Sequence, residues 1–431
     1  MRYFHLYLFS ILMLLSFGCS NTKNKGTGDV SYSFNLPPAN ATKSVMNFSD
    51  VIGWGPNQTP VAPKGFTVTL FADGFDNPRW MYQTSNGDIL VAESNTEVSF
   101  IQKVGATVAG ATKADNLGNS ADRITLLRDA DGDGKPEFRS TLLKDLHKPF
   151  GMLVMNGYLY VGNTDALVRF PYQPGQTSIE EKGYKIVDLP PVGQHWTKNI
   201  ISNADSSKIF ISVGSSTNIA DKGIDKEINR ANILEVNPDG SGLRVYASGL
   251  RNPVGMGWAP GTHTLWVCVN ERDLLGDDLV PEYLTSVKEN GFYGWPYSYF
   301  GQHVDARVQP QDAELVKKAI VPDVPLGAHT ASLGLAFYTA KSFPKKYQGG
   351  AFVAQHGSWN RSLLSGYKVL FVPFKNGKPA GKPQDFLTGF MANIKEDKVY
   401  GRPTGVLLLK DGSLLVTDDK TNRIWRVSYG L

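Results

Sequence analysis

Residues 249–299 read GLRNPVGMGWAPGTHTLWVCVNERDLLGDDLVPEYLTSVKENGFYGWPYSY. The stretch places Arg251 and Asn252 immediately before an alternating strand. It continues through an acidic loop, Asn270-Glu271-Arg272-Asp273 to Asp277-Asp278, and closes in the aromatic turn Tyr293-Gly294-Trp295-Pro296. A cation and an amide ahead of a strand, followed by carboxylates, suit a site that holds an anion and a metal ion together. Read alone, the same residues are a solvated loop between two strands. Recurrence elsewhere in the chain separates the two readings.

The first half of the pattern returns five more times. A polar or basic residue, often beside Pro, is followed by an apolar strand, a turn and a second alternating strand. The copies are NPRWMYQTSNGDILVAES from Asn77, KPFGMLVMNGYLYVGN from Lys148 and HWTKNIISNADSSKIFISVG from His195. The others are RNPVGMGWAPGTHTLWVCVNE from Arg251, HTASLGLAFYTAKSFPKKYQGGAFVAQHGSWNR from His329 and GRPTGVLLLKDGSLLVTDD from Gly401. Asn-Gly and Asp-Gly turns between alternating strands are strong hairpin signals. Successive copies start roughly 50–80 residues apart, room for one four-stranded sheet and a variable loop. The expectation is an all-β chain, a six-bladed β-propeller with four-stranded antiparallel blades. The alternative, an irregular pair of β-sandwiches, does not require equivalent residues at equivalent places.

In a closed ring the residues opening each copy converge on one mouth: Arg79, Lys148, His195, Arg251, His329 and Arg402. Gathering that many cationic groups is costly unless an anion or ordered water compensates them. The set therefore predicts a pocket for a polyanionic ligand. His195 is the best base in the set, because His accepts a proton near neutral pH. HGSWNR, residues 356–361, offers a further His and Arg361 to the same mouth, or is a structural corner.

Composition bounds the rest. With 431 residues, 44 Gly, 25 Pro and 11% aromatics, the chain suits a turn-rich β protein of one large or two ordinary domains. A net charge of +4 gives no argument for nucleic-acid binding. Arg2, the apolar run Leu6 to Phe17 and Ser16-Phe17-Gly18-Cys19 read as an export signal over residues 1–19, with lipidation at Cys19 expected and simple secretion as the alternative. Only Cys19 and Cys268 are present, so removal or lipidation of the first leaves no internal disulfide. Residues 20–58, polar and small, read as a flexible tether, and 59–431 as the propeller. The chain is thus expected outside the cytoplasm, in the periplasm or on the cell surface, touching membrane only through the lipid.

Asp129-Ala-Asp131-Gly-Asp133-Gly opens like a calcium loop, but its twelfth position is Ser140 rather than Glu. It reads as a weak calcium site or as an Asp/Gly hairpin turn. No GxSxG, HExxH, CxxC or strand-borne GxGxxG is present, so serine hydrolase, zincin and dinucleotide-binding readings lack support.

The stretches GLRNPVGMGWAP, VNERDLLGDDLVPEYLTSV, GFYGWPYSY, GAHTASLGLAFY, QHGSWNR and GRPTGVLLLKDGSLLVTDD together resemble the soluble glucose and sorbosone dehydrogenase family, in particular its sorbosone-type branch. The resemblance implies pyrroloquinoline quinone and Ca2+ as cofactors, a small sugar or polyol as substrate and an external electron acceptor. It implies His195 as the base that takes the hydroxyl proton while hydride passes to the quinone. It places Arg251, Asn252 and Arg402 on the cofactor, with Arg251 also catalytic through the quinone carbonyls. Arg79, Lys148, His329 and Arg361 complete the expected cofactor shell. Glu271, Arg272 and Asp273 mark the metal loop. Where the glucose-oxidising branch has Gly-Pro, this chain has Glu271-Arg272, which leaves side-chain ligation, carbonyl ligation and no metal all open. Two rivals remain: a calcium-dependent lactone hydrolase on a propeller, and a non-catalytic surface-binding propeller.

Overall fold

A computed structural model describes residues 35–96, 119–190 and 193–430. Cys19 and the proposed export signal lie outside the described residues. Six four-stranded antiparallel sheets follow one another along the chain. Their first hairpins are the six sequence copies, with first strands Pro78–Gln83, Met152–Met155, Ile200–Ser202, Asn252–Trp258, Ser332–Phe337 and Pro403–Leu408. These six strands neighbour one another in a closed cycle, the sixth returning to the first. The sixth sheet takes its outer strand, Phe66–Ala72, from the start of the fold and pairs it with Arg423–Tyr429 near the end.

Each sheet buries both faces, and the alternation shows why. In Leu265–Asn270, Leu265, Val267 and Val269 enter the core shared with the third sheet. Trp266 and Cys268 enter the core shared with the fifth. Among the described residues, six apolar clusters fill the six gaps between successive sheets. Burial on both faces explains why these strands read as near-continuous apolar runs.

Glycine in the first strands lets the cycle close. A Cβ on Gly255 would lie 2.4 Å from the Leu333 carbonyl oxygen of the next first strand. One on Gly405 would lie 2.9 Å from the Arg79 carbonyl oxygen. Neither distance admits a side chain, so glycine here marks close backbone approach.

The flexible tether expected through residue 58 is corrected over residues 35–58, which lie against the sheets. Asp50–Val51 pairs in parallel with Lys398–Val399. Trp54 is buried against Phe390, Tyr400 and Trp425. A polar composition misled the reading, because backbone groups and a few aromatics do the docking.

Candidate functional site

First strands start, and second strands end, at the same end of the sheets. The register pairs Pro78 with Glu93, Asn252 with Asn270, Ser332 with Gln355 and Pro403 with Asp418. A residue opening one strand therefore meets the residue closing its partner, and the mouth collects both sets.

His195 precedes the third sheet. Its Nδ1 faces the Ser215 carbonyl at 2.9 Å and the Ser215 hydroxyl at 3.1 Å. Donation from Nδ1 to that carbonyl leaves the Nε2 lone pair as the ring's acceptor. Burial, and then the positive charge of Arg251, lowers the His195 pKa to about 3. The ring is therefore neutral at working pH. Gly214 lets His195 meet the fourth sheet: a Cβ there would lie 2.4 Å from both His195 Cβ and Asn252 Oδ1.

Arg251 is buried and gripped from three sides. It donates to the Glu271 carbonyl at 2.7 Å, to Asn218 Oδ1 at 2.9 Å and to Asp273 Oδ2 at 3.0 Å. Asn218 also accepts from the Asp273 N–H at 2.9 Å, and its carbonyl accepts from Trp295 Nε1 at 2.9 Å. Asp273 Oδ1 accepts from Asn360 at 2.7 Å and lies 3.8 Å from His329 Nδ1. Burial pushes the Asp273 pKa up, but Arg251, His329 and His195 outweigh it and hold it below the usual value. His329 sits in the left-handed region at φ 60 with Nε2 2.8 Å from the Gly276 carbonyl. Burial pushes its pKa down, and Asp273 with the Gly276 carbonyl pushes it above the usual value. Asn252 donates to Asn270 Oδ1 at 3.1 Å, while its own Oδ1 is buried without a hydrogen-bond partner.

A second cluster crosses from the sixth sheet to the first. Asp419 pairs with Arg79 and accepts from His356 Nε2 at 2.8 Å. Arg402 donates to the His356 and Gly357 carbonyls at 3.0 and 2.9 Å, and its guanidinium lies over the Tyr367 ring. Burial, then Arg402, lowers the His356 pKa to about 3. Burial opposes ionisation of Asp419, but His356, Lys420 and Arg79 hold its pKa well below the usual value. Arg79 lies over Trp196, and its Nε is buried without a hydrogen-bond partner.

The ring of cations is thus balanced partly from within, by Asp273 and Asp419. The sequence reading missed both balancing contacts, as it missed Asn218 and Asn360. Asp419 had a signal, since it ends the sixth copy directly after Asp418, as Glu271 follows Asn270 in the fourth. Asn218 lies in a loop with no repeat equivalent. Lys198, also unforeseen, is fully buried three residues from His195, and burial and then Arg230 lower its pKa to about 7.

Other expected residues are placed differently. Lys148 is buried in the left-handed region, its N–H donating to Asp122 at 2.9 Å. Arg361 is spent on the turn after Asp273, donating to the Asp277 carbonyl at 3.1 Å and Asp278 Oδ1 at 2.6 Å. Arg272 is corrected as a side-chain ligand. Its guanidinium is fully buried, donating to the Pro296 and Ser298 carbonyls at 2.8 and 2.6 Å, and a cation does not bind a cation. Glu271 accepts from Arg272 through Oε2, while Oε1 is buried without a hydrogen-bond partner. Tyr293 turns away from the mouth and donates to the Ser286 carbonyl at 2.5 Å.

On the first sheet, Asp129, Asp131 and Asp133 are joined by Glu137, all with ligand atoms within 4.8 Å of one another. Glu137 stands at the ninth loop position, which the comparison with a twelve-residue loop passed over.

A protein of Borreliella burgdorferi is 28% identical over 380 residues, 85% of this chain and 90% of its own length. Aldose sugar dehydrogenase YliI of Escherichia coli is 24% identical over 198 residues, 45% of this chain and 46% of the relative. The holo pyranose dehydrogenase PQQ domain of Coprinopsis cinerea superposes with a TM-score of 0.69 at 20% identity, covering 88% of this chain and 100% of that one. A calcium structure of the Trichoderma reesei carbohydrate-active enzyme of family AA12 gives 0.69 at 19%, covering 86% and 97%. At such identities the structures share the fold. A family model described as TrAA12-like matches residues 60–290 and 296–430, nearly all of the sheets and both clusters of the mouth, so this chain belongs to the TrAA12-like family.

Proposed function

We propose that the chain is a six-bladed β-propeller oxidoreductase that oxidises a sugar or related polyol with pyrroloquinoline quinone and Ca2+. The observation that carries the reading is His195, anchored through Nδ1, open at Nε2 and kept neutral beside Arg251. A base must be unprotonated and have a free acceptor to take a hydroxyl proton, and a neutral ring that spends Nδ1 on Ser215 supports that role. On protonation, the positive ring is stabilised by its donor bond to the Ser215 carbonyl and by the nearby Asp273 charge.

The mouth suits a planar polyanion. Arg79 Nε is a buried donor without a hydrogen-bond partner, an unfavourable state that an anionic oxygen relieves. The acceptors Asn252 Oδ1 and Glu271 Oε1, also buried without partners, suit a hard cation. Arg79, Arg251, Asn252 and Arg402 would hold the quinone, and Glu271 the calcium; the cofactor, when bound, supplies the two-electron acceptor. Arg251 and Arg402 are fixed by backbone carbonyls, so their charges stay in place as negative charge develops nearby. Asp129, Asp131, Asp133 and Glu137 form a second candidate calcium site, away from the mouth. Asp273 and Asp419 are each given to an arginine, as Glu271 is through Oε2, so turnover of a lactone panel is what separates this reading from a calcium-dependent lactone hydrolase.

Titration with pyrroloquinoline quinone, with and without Ca2+, followed by dye-coupled oxidation of a sugar panel, tests the proposal. Stoichiometric binding is expected. His195→Ala should keep binding and lose about 10²–10⁴-fold in kcat, and Arg251→Ala should weaken binding. Absence of binding with Ca2+ present would overturn the reading. Export and lipidation at Cys19 are proposed from the sequence alone; a Cys19→Ala chain should leave the membrane fraction and lose incorporation of labelled palmitate.

A further inference from the structure

Residues 40–54 run along the rim of the mouth across the fourth, fifth and sixth sheets. The Asn40 N–H donates to the Leu275 carbonyl at 2.8 Å. The Gly276 N–H donates to Ser44 Oγ at 3.1 Å, and the Asp277 N–H to Thr42 Oγ1 at 2.7 Å. All three bonds fall on the turn between Asp273 and Asp278, whose Gly276 carbonyl meets His329. Gly276 sits at φ +99, and a Cβ there would lie 2.9 Å from both the carbonyl and hydroxyl oxygens of Thr42. The segment therefore fits a turn that has no side chain at its apex.

Beyond this turn the Asn47 N–H donates to the Trp359 carbonyl at 2.8 Å, and its side chain to Asp397 Oδ1 at 2.9 Å. Phe48 stacks on Trp359 with ring centres 5.7 Å apart. Trp54 Nε1 donates to Asp418 Oδ2 at 2.7 Å. One segment thus fastens the loop of Asp273, the loop of Asn360 and the residue before Asp419. The two loops have no sheet pairing of their own, and the first carries Asp273, whose charge reaches His195.

We propose that residues 40–54 are a strap that positions the Asp273 carboxylate in the mouth, with Thr42 and Ser44 as positioning residues. Neither residue touches the reacting atoms. Their bonds fix the turn whose first residue is clasped by Arg251, Asn218 and Asn360. The consequence for catalysis rests on the dehydrogenase reading above, whereas the mechanical part does not.

Hydrogen exchange on the cofactor-free chain tests the mechanical part. In Thr42→Ala/Ser44→Ala, faster exchange is expected at 275–277 and also at 215–219. The latter segment meets Asp273 and Arg251 and, among the described residues, shares no hydrogen bond with the strap. Ser44→Ala alone gives the same test in smaller degree if the double variant fails to fold. In the quinone-loaded chain, kcat should fall about tenfold or more with KM held within about twofold, since small misplacements at a reacting centre act on kcat. Thr42→Ser, which keeps the hydroxyl, should restore it. Exchange changes confined to 275–277, or a lowered Tm with kcat unmoved, overturn the proposal. A wild-type chain that binds no quinone instead sinks the dehydrogenase reading, and the exchange result still decides the strap.

Discussion

His195 and His356 are held neutral for the same reason. His356 is buried and His195 half-buried, and each faces an arginine, Arg402 and Arg251 respectively, that disfavours a second positive charge. The sign of the pH effect follows. An unfolded chain protonates each ring near pH 6.5, whereas the folded chain resists until about pH 3. The stability contributed by the neutral rings is therefore fully present above pH 6.5 and is lost as pH falls toward 3. Urea denaturation between pH 7.5 and 4.5 should show stability decreasing toward acid. His356→Gln should make that slope shallower by up to about one proton, roughly 1.4 kcal/mol per pH unit. An unchanged slope would mean that His356 is charged in the native protein. His195 was legible in the sequence because it opens a repeat. Its companions Asn218 and Asn360 were not, because they come from loops brought together only by closure, and no local pattern encodes that meeting.

The hairpin is the element that transmits most of the fold from sequence to structure. Its period-two alternation, its turn residues and its recurrence are all local, so the six copies could be read directly. The docked segment before residue 60 could not, because its contacts lie hundreds of residues away: Trp54 with Asp418, Asn47 with Asp397. Its value can be measured. Trp54→Ala removes an indole packed against three rings and leaves Asp418 without that donor, so a loss of about 3–5 kcal/mol is expected by chemical denaturation. A loss below about 1 kcal/mol would restore the tether reading. Within the hairpins, Gly255→Ala should destabilise by roughly 1–3 kcal/mol, because its methyl would meet the Leu333 carbonyl of the neighbouring first strand. A neutral result there would show that the first strands can separate without loss.

At the scale of the whole molecule the two candidate cation sites have separable roles. The Asp129–Glu137 cluster lies on an outer loop of the first sheet, whereas Glu271 meets Arg251 through its backbone carbonyl and buries its carboxylate against Arg272. Calcium at saturating excess, around 100 times its Kd, should raise stability by about 2.7 kcal/mol at a site formed only on folding. Asp131→Asn/Asp133→Asn should remove the outer loop's share of that rise, leaving quinone affinity intact. Glu271→Gln should lower quinone affinity and leave the rise. Ordering of the chain in time adds a constraint of another kind. The outer strand of the sixth sheet, Phe66–Ala72, is among the first parts of the fold to be synthesised, and its partner Arg423–Tyr429 is nearly the last. A nascent chain therefore carries an unpaired, aggregation-prone edge throughout its elongation. Arg402 and Asp419 also arrive last, so the mouth exists in no partial product. Any truncation short of residue 423 should leave neither a closed ring nor a residual activity, so a bound ligand reports that the first and last strands of the sixth sheet have met.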